Sequence, residues 1–508
     1  MINRFPRLIA FAAGAIAATG FAPLNLWPLM FIGLVLLIAL VKCAPSWKAT
    51  SARGWFWGWG HFIVCSNWIA HAFTFQDNMP HWLGWIAVVG LGAYLALFVG
   101  LCAGVSWFAR AKPLPFTLIF TACWIVVEML RARLFSGYAW DPIGVMWANV
   151  DYYAPTRWLA PWLGTYAMSG LTVIIAGLFL VKSRVTHIML ALWVLSFGYS
   201  LVGHSSPRKT TGQHEPLLTI VQPNIPEQAF HDPSTDFANF IKLMRTSGTP
   251  APAHPRLILW PEGSLSDDIE HDDYARQQLA IILAPKDILV AGGDSLIYKT
   301  RKTREGGTTS RLVAAANTTF ALDAKARIIG RYDKAHLVPG GEYLPLRSIL
   351  SRIGLNRLVP GDLDFIPGPG PRTIPIPGFG KMGNVICYEI IFSGEVTDRA
   401  HRPDFIFNPS NDAWFGAWGP PQHLAQAQMR ALEEGVPIIR STPTGISAVI
   451  DAEGRILQSL PLGAQSAITA AIPNALPLTF FAQFGNLIPL IIAFITAAIG
   501  IALSLRKR

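Results

Sequence analysis

Eight stretches of this chain are apolar for long enough to cross a hydrocarbon layer, and nothing else in the sequence restricts its fold as much. They lie near 7–23, 25–42, 54–75, 82–109, 114–132, 161–181, 186–203 and 485–505. A membrane-spanning helix takes about 20 mostly apolar residues. Within lipid the backbone must pair its own polar groups, so each run is expected as a helix. The first follows Arg4 and Arg7, as a secretory leader would, but a second begins just after Pro23-Leu24-Asn25. The first is therefore read as retained. Overall, 52% of the 508 residues are hydrophobic and 14% charged, against about 25% charged in soluble proteins. The apolar excess is confined to the two ends. Between them lies a stretch of ordinary composition, long enough for a core of its own. The expected organisation is a membrane domain over 1–203 with seven transmembrane helices, a soluble domain over 217–475, and a last transmembrane helix with a basic tail over 484–508.

The net charge of +10 comes with no basic stripe or nucleic-acid motif, so a nucleic-acid partner is not expected. The excess has a topological reading instead. With a cytoplasmic N-terminus, the inside segments hold Arg4, then Lys48 and Arg53, Arg110 and Lys112, Lys182 and Arg184, and Arg506 to Arg508. The outside connections 23–25 and 76–81 hold no Lys or Arg. That is the positive-inside pattern. It predicts both termini in the cytoplasm and the soluble domain on the other side. The segment 133–160 is the exception, with Arg133 and Arg157 partly offset by Asp141 and Asp151. Glu128 and Arg131, near the end of the fifth span, read as a snorkelling pair ahead of a headgroup site.

After a polar connection from His204 to Pro216, short apolar runs alternate with helical patterns. Strands are expected at 217–221, 257–260, 287–293, 311–323, 326–332, 383–388, 404–408, 436–441, 445–451 and 466–472, and helices at 234–246, 272–284 and 421–435. This is an α/β domain, read as a layered sandwich rather than a doubly wound sheet.

Four of the five cysteines, Cys43, Cys65, Cys102 and Cys123, sit in the apolar region, where a thiol behaves as a small hydrophobe. Cys387 is the only cysteine of the soluble domain, so it has no disulfide partner there and no CxxC metal motif. It ends an apolar run, Gly-Asn-Val-Ile-Cys-Tyr-Glu. Glu262 ends another, Leu-Ile-Leu-Trp-Pro-Glu, and Lys334 a third, Arg-Tyr-Asp-Lys. Such strand ends are where α/β folds display reactive groups. A thiol needs a base to become a nucleophile. A carboxylate can take its proton. An ammonium, with the backbone N–H of Tyr388, can stabilise an oxyanion.

Glu262, Lys334 and Cys387 in this order resemble the catalytic set of the nitrilase superfamily of carbon–nitrogen hydrolases. Asn408-Pro-Ser-Asn-Asp-Ala-Trp-Phe and Arg430-Ala-Leu-Glu433 extend the likeness. Seven preceding spans and one following span narrow it. With Lys334-Ala-His-Leu-Val-Pro-Gly-Gly-Glu342 and Cys387-Tyr-Glu389, the whole chain resembles the apolipoprotein N-acyltransferase family. The resemblance implies an αββα sandwich, with Glu262 as general base, Lys334 as oxyanion stabiliser and Cys387 as nucleophile. Glu342 would hold Lys334, Tyr388 and Glu389 would line the site, and Glu433 is read as structural.

By the same resemblance the protein sits in the bacterial inner membrane with its catalytic domain on the periplasmic side. Its acyl donor is a phospholipid, typically phosphatidylethanolamine, and its acceptor a diacylglyceryl-modified apolipoprotein. No metal or organic cofactor is implied. Phe230 stands where the family carries a loop tryptophan. The mixed apolar and arginine stretch from Leu346 to Phe365, and Trp414-Phe-Gly-Ala-Trp418, are candidate lids. A membrane-tethered amidase or nitrilase-type hydrolase is the rival reading, although a tether needs only one span. A transporter is disfavoured by the scarcity of charge in the spans.

Overall fold

The computed structural model describes residues 4–75, 80–149, 155–181, most of 183–195, 217–230, 232–250, 254–266, 268–302, 308–350, 352 and 364–506. The apolar runs become helices: α1 Pro6–Ala18, α2 Trp27–Lys42, α3 Trp47–Cys65, α4 Leu83–Ser106, α5 Pro113–Arg131 and α6 Ala160–Leu178. The helices of the middle region are α7 Asp236–Thr246, α8 Asp273–Ala280 and α9 Gly419–Glu434, and α10 Leu487–Leu505 closes the chain.

Among the described residues, four helical segments are long and apolar enough to cross a membrane: Leu83–Ala109, Pro113–Arg131, Thr156–Leu178 and Leu487–Leu505. The other expected spans fall short in different ways. α1 has 13 residues, a reach of about 20 Å against a hydrocarbon core of about 30 Å. α2 has 16 residues. α3 is long enough but brings Lys48, Ser51 and Arg53 into its first turns. The run expected over 186–203 lies largely outside the described residues. α1 and α3 come into backbone contact at two glycines. A Cβ on Gly14 would stand 1.9 Å from the Trp57 carbonyl oxygen, and one on Gly60 would stand 2.1 Å from that of Phe11. Where lipid supplies no hydrophobic drive between helices, such close approach holds them together.

The soluble domain has two six-stranded sheets. In one the order is β12 (Ser466–Ala471), β1 (Leu217–Gln222), β2 (Arg256–Leu259), β3 (Ile288–Lys302), β4 (Thr308–Asp323) and β5 (Ile328–Asp333). In the other it is β11 (Ile456–Ser459), β10 (Ala448–Ile450), β9 (Ile438–Ser441), β8 (Phe405–Pro409), β7 (Gly380–Asn384) and β6 (Thr373–Ile376). Side chains alternate across a strand, and this alternation builds the layers. Leu257 and Leu259 join the core shared with Phe405, Ile406 and Ile438 of the other sheet. Ile258 and Trp260 face outward against Leu243 of α7 and Leu279 of α8. The result is the helix–sheet–sheet–helix layering expected from the sequence. β6 and β11 were not expected. β6 has Pro375 between Ile374 and Ile376, and β11 has only Ile456 and Leu457 before Gln458 and Ser459, so each apolar run is too short to read as a strand.

α9 is the outer layer of the second sheet and also the seat of the membrane helices. Its Ala427 and Ala431 belong to the core of the soluble domain, while Ala425, Met429 and Leu432 belong to the core of the membrane helices. Glu433 accepts from the backbone N–H and the hydroxyl of Thr165 in α6, at 2.5 and 2.7 Å, and from Ser393 at 2.8 Å. The pair read as snorkelling does not snorkel. Glu128 is 5% and Arg131 3% exposed, because both satisfy the backbone of the segment that follows. Glu128 accepts from Ile143 N–H at 3.0 Å, and Arg131 donates to Trp140 O at 2.9 Å. The arginines that broke the charge pattern are taken up in the same way. Arg157 donates to the Glu453 and Gly454 carbonyls, and Arg133 pairs with Glu395 at 3.2 Å.

Candidate active site

Strands β2, β5 and β7 deliver Glu262, Lys334 and Cys387 to one end of the facing sheets. Lys334 directly follows β5, whereas Glu262 and Cys387 each stand three residues past their strand. After β7 the chain turns sharply into a short helical turn, Cys387–Ile391, and Cys387 itself has φ +49°. A side chain at positive φ is strained and persists only where its surroundings overdetermine it. Here the Cys387 carbonyl accepts from His423 Nε2 at 3.1 Å and Asn408 Nδ2 at 3.4 Å.

Both donors are held in turn. Asn408 Oδ1 accepts from Arg440 at 2.6 Å, and Arg440 also reaches Asp412 at 2.5 Å and His423 Nδ1 at 2.9 Å. Burial and then Arg440 keep His423 below the ordinary histidine value, while its Nδ1 lies 2.9 Å from Asp412 Oδ1. Burial works against the Asp412 carboxylate, but Arg440 and His423 outweigh it and hold the group below the usual range.

Glu389 ties the cysteine turn to the lysine loop. It accepts from Ile386 N–H at 2.7 Å on one side, and from Ala335 N–H at 2.7 Å and His336 N–H at 3.1 Å on the other. Tyr332 donates to the same carboxylate at 2.8 Å. Burial pushes Glu389 up to about 6. Tyr388 turns the other way: its hydroxyl donates to Gly137 O, in the segment after α5, at 3.1 Å.

Lys334 is 1% exposed and lies between two carboxylates. Its Nζ donates to Glu342 Oε1 at 2.9 Å and to Glu262 Oε1 at 3.2 Å. Asn317, on β4, donates to both of the same oxygens at 2.8 Å. The remaining oxygens are also engaged, Glu262 Oε2 by Asn411 N–H and Glu342 Oε2 by Val338 N–H, each at 2.8 Å. Burial alone would discharge the lysine. Glu262 and then Glu342 outweigh it and hold Lys334 above the usual value, so the ammonium is fixed.

Cys387 lies within electrostatic reach of both Lys334 and Glu262. Burial, and then Glu262, raise its thiol well above the usual value, opposed by Lys334 and by the Asn411 N–H. The resting cysteine is a thiol. A carboxylate, an ammonium and a buried thiol thus converge where a nucleophile can be deprotonated and an oxyanion met by a fixed cation.

Asn317, His423 and Arg440 were not singled out from sequence, and Asn411 and Asp412 stood only within the motif 408–415, with no role of their own. A usable signal was present: α9 places Gln422, His423, Gln426, Arg430 and Glu433 in a fully buried helix, and buried polar groups need partners. Of the candidate lids, 346–365 lies largely outside the described residues. Phe230 is half-buried against the outer core of the first sheet. Trp414 meets Phe75, from the membrane side, edge-on at 5.1 Å.

Residues 13–178 match the family profile described as apolipoprotein N-acyltransferase N-terminal domain, and residues 217–476 match carbon-nitrogen hydrolase. An apolipoprotein N-acyltransferase of Bradyrhizobium diazoefficiens is 30% identical, covering 99% of this chain and 95% of its own length. That of Caulobacter vibrioides is 32% identical, covering 98% and 95%. Among solved structures, an amidase from Nesterenkonia sp. AN1 covers 55% of this chain and 96% of its own at 18% identity and a TM-score of 0.34. Nit3 of Saccharomyces cerevisiae covers 53% and 93% at 19% identity and the same score.

Proposed function

The chain belongs to the apolipoprotein N-acyltransferase family, and on that premise we propose that it moves an acyl chain from a phospholipid to a lipoprotein N-terminus through a thioester on Cys387. The observation that carries this reading is the buried Lys334 ammonium held against Glu262 and Glu342 and facing an uncharged thiol. Glu262 takes the thiol proton, and the Cys387 sulfur attacks an ester carbonyl of the phospholipid. The resulting oxyanion is met by Lys334 and by the backbone N–H of Tyr388. Collapse breaks the ester C–O bond, the proton on Glu262 passes to the leaving alkoxide, and a lysophospholipid departs. The α-amine of an S-diacylglyceryl cysteine then attacks the thioester. Glu262 takes the amine proton, the new amide forms, and the proton returns to the leaving Cys387 thiolate.

The donor of this scheme is phosphatidylethanolamine and the acceptor a diacylglyceryl-modified apolipoprotein. Water must be kept from the thioester between the two half-reactions. The aromatic contact of Trp414 with Phe75, at 5.1 Å, suits a mouth closed from the membrane side. We place the chain in the bacterial inner membrane with eight spans, both termini cytoplasmic and the α/β domain periplasmic. Lys112, which opens α5, donates to the carbonyls of Leu503, Ser504 and Arg506 at 3.2, 3.4 and 2.6 Å. The start of α5 and the basic C-terminal tail therefore share one side, as this topology requires.

Intact-mass spectrometry after incubation with phosphatidylethanolamine tests the scheme. An acyl-sized gain that hydroxylamine removes, that Cys387→Ala lacks, and that a diacylglyceryl-cysteine peptide discharges is the expected result. No gain with phospholipid, together with Cys387-dependent hydrolysis of small amides, overturns it in favour of a tethered hydrolase.

A further inference from the structure

The end of the helix bundle away from the active site carries cations that form no ion pair among the described residues. Residues 1–76 contain Arg4, Arg7, Lys42, Lys48 and Arg53 and not one Asp or Glu. Arg7 and Arg53 lie within electrostatic reach of each other, and Arg53 already spends one donor on Leu40 O at 2.6 Å. Two guanidinium groups beside a low-dielectric phase, with no carboxylate paired to either among the described residues, call for an external anion.

The same place has a groove of about 580 Å³, lined by Arg4, Arg7, Leu8, Phe11, Phe56 and Trp59. It lies beside the seam where α1 and α3 approach closely at Gly14 and Gly60. Its walls are apolar and aromatic, with Phe11 edge-on to Trp59 at 5.6 Å. Its cations stand over rings, Arg4 over Phe5 at 5.6 Å and Arg7 over Phe56 at 6.0 Å. Leu8 is 66% exposed on the surface that meets lipid. Apolar walls with cations at the mouth match an acyl chain below a phosphodiester.

We propose that this groove is a binding site for an anionic phospholipid, its phosphate between Arg4 and Arg7 and one acyl chain along Phe11, Phe56 and Trp59. The inference rests on the membrane placement of the helices and not on the acyl-transfer chemistry. It describes a lipid that is bound and not consumed, separate from the donor that meets Cys387.

Native mass spectrometry of the full chain, released from micelles containing equal phosphatidylglycerol and phosphatidylethanolamine, tests it. About 1 kcal/mol per interfacial cation corresponds to a preference for phosphatidylglycerol of at least about tenfold. The double variant Arg4→Gln, Arg7→Gln should bring that preference close to one, while Lys48→Gln, an exposed cation at the same end, should keep it. Thioester formation on Cys387 should be unchanged in all three proteins, which separates this site from the reaction. No preference in the wild type, a preference that survives the double variant, or an equal loss in Lys48→Gln would each overturn the site.

Discussion

Glu342 and Lys334 meet at 2.9 Å in a site where the lysine is 1% exposed. The second oxygen of Glu342 is fixed by Val338 N–H. Glu342→Gln keeps the size but removes the charge, and it turns an amide N–H₂ toward either Lys334 or Val338. A buried charge-assisted bond is lost, at about 1–3 kcal/mol. Single-turnover acylation of Cys387 should slow by about ten- to a hundredfold. Stopped-quench mass spectrometry of the thioester measures it, and an unchanged rate would remove Glu342 from the machinery.

His423 bears on catalysis through the Cys387 carbonyl alone. His423→Leu should leave the strained peptide held by Asn408 alone and cut the acylation rate by about a hundredfold with little change in lipid KM. His423→Gln, whose amide can still donate, should recover part of the loss. The split between kcat and KM, together with that partial recovery, separates positioning from general destabilisation.

The seam between α9 and α6 should dominate thermal stability. Glu433 is paired with Arg430 at 2.8 Å, both being fully buried. Glu433→Ala leaves Arg430 uncompensated, a loss of about 3–5 kcal/mol. Thr165→Val removes a hydroxyl that donates to Glu433 and accepts from Arg430, a smaller loss of about 2 kcal/mol. Since the two side chains touch, the double variant should lose less than the sum. Melting in detergent with an intrinsic tryptophan signal would show it.

Glu434 sets a pH dependence. Burial, and then the neighbouring Glu433, push its carboxyl up to about 7. The folded value lies above the unfolded value, so folding favours the protonated form. This contribution is complete below about pH 4.5 and is lost as pH rises through about 7, a change on the order of 3 kcal/mol. The melting temperature of Glu434→Gln should therefore fall less than that of the wild type between pH 5 and 8. Parallel curves would refute the assignment.

What could be read from the sequence followed physical periodicity. The strand before Glu262 was visible because Leu257, Ile258 and Leu259 are apolar on both faces, as a strand buried on both sides requires. β11 was invisible because its apolar pair, Ile456 and Leu457, is followed at once by Gln458 and Ser459 and shows no alternation. Glu262, Lys334 and Cys387 were found because each closes or closely follows an apolar run in the sequence, Lys334 directly after its strand and the other two three residues beyond theirs. Asn317, His423 and Arg440 were not, since their work is to hold backbone and carboxylates in place, and a neutral amide within a strand leaves no local trace. Glu128 and Arg131 were misread for a related reason. Their partners, Ile143 and Trp140, are backbone groups, and only the fold brings them close.

The pairing of Leu217 with Ala471 across β1 and β12 places the entrance and the exit of the soluble domain side by side at one sheet edge. The domain therefore hangs from the membrane on two adjacent threads. Tension that separated those threads would open the β1–β12 ladder from its end, one hydrogen bond at a time, instead of shearing all its bonds at once. The sheet edge where β12 borders only β1 is then the mechanical fuse. A bilayer that pulled on the anchors would fray the attachment before it disturbed the strand ends that carry Glu262 and Lys334.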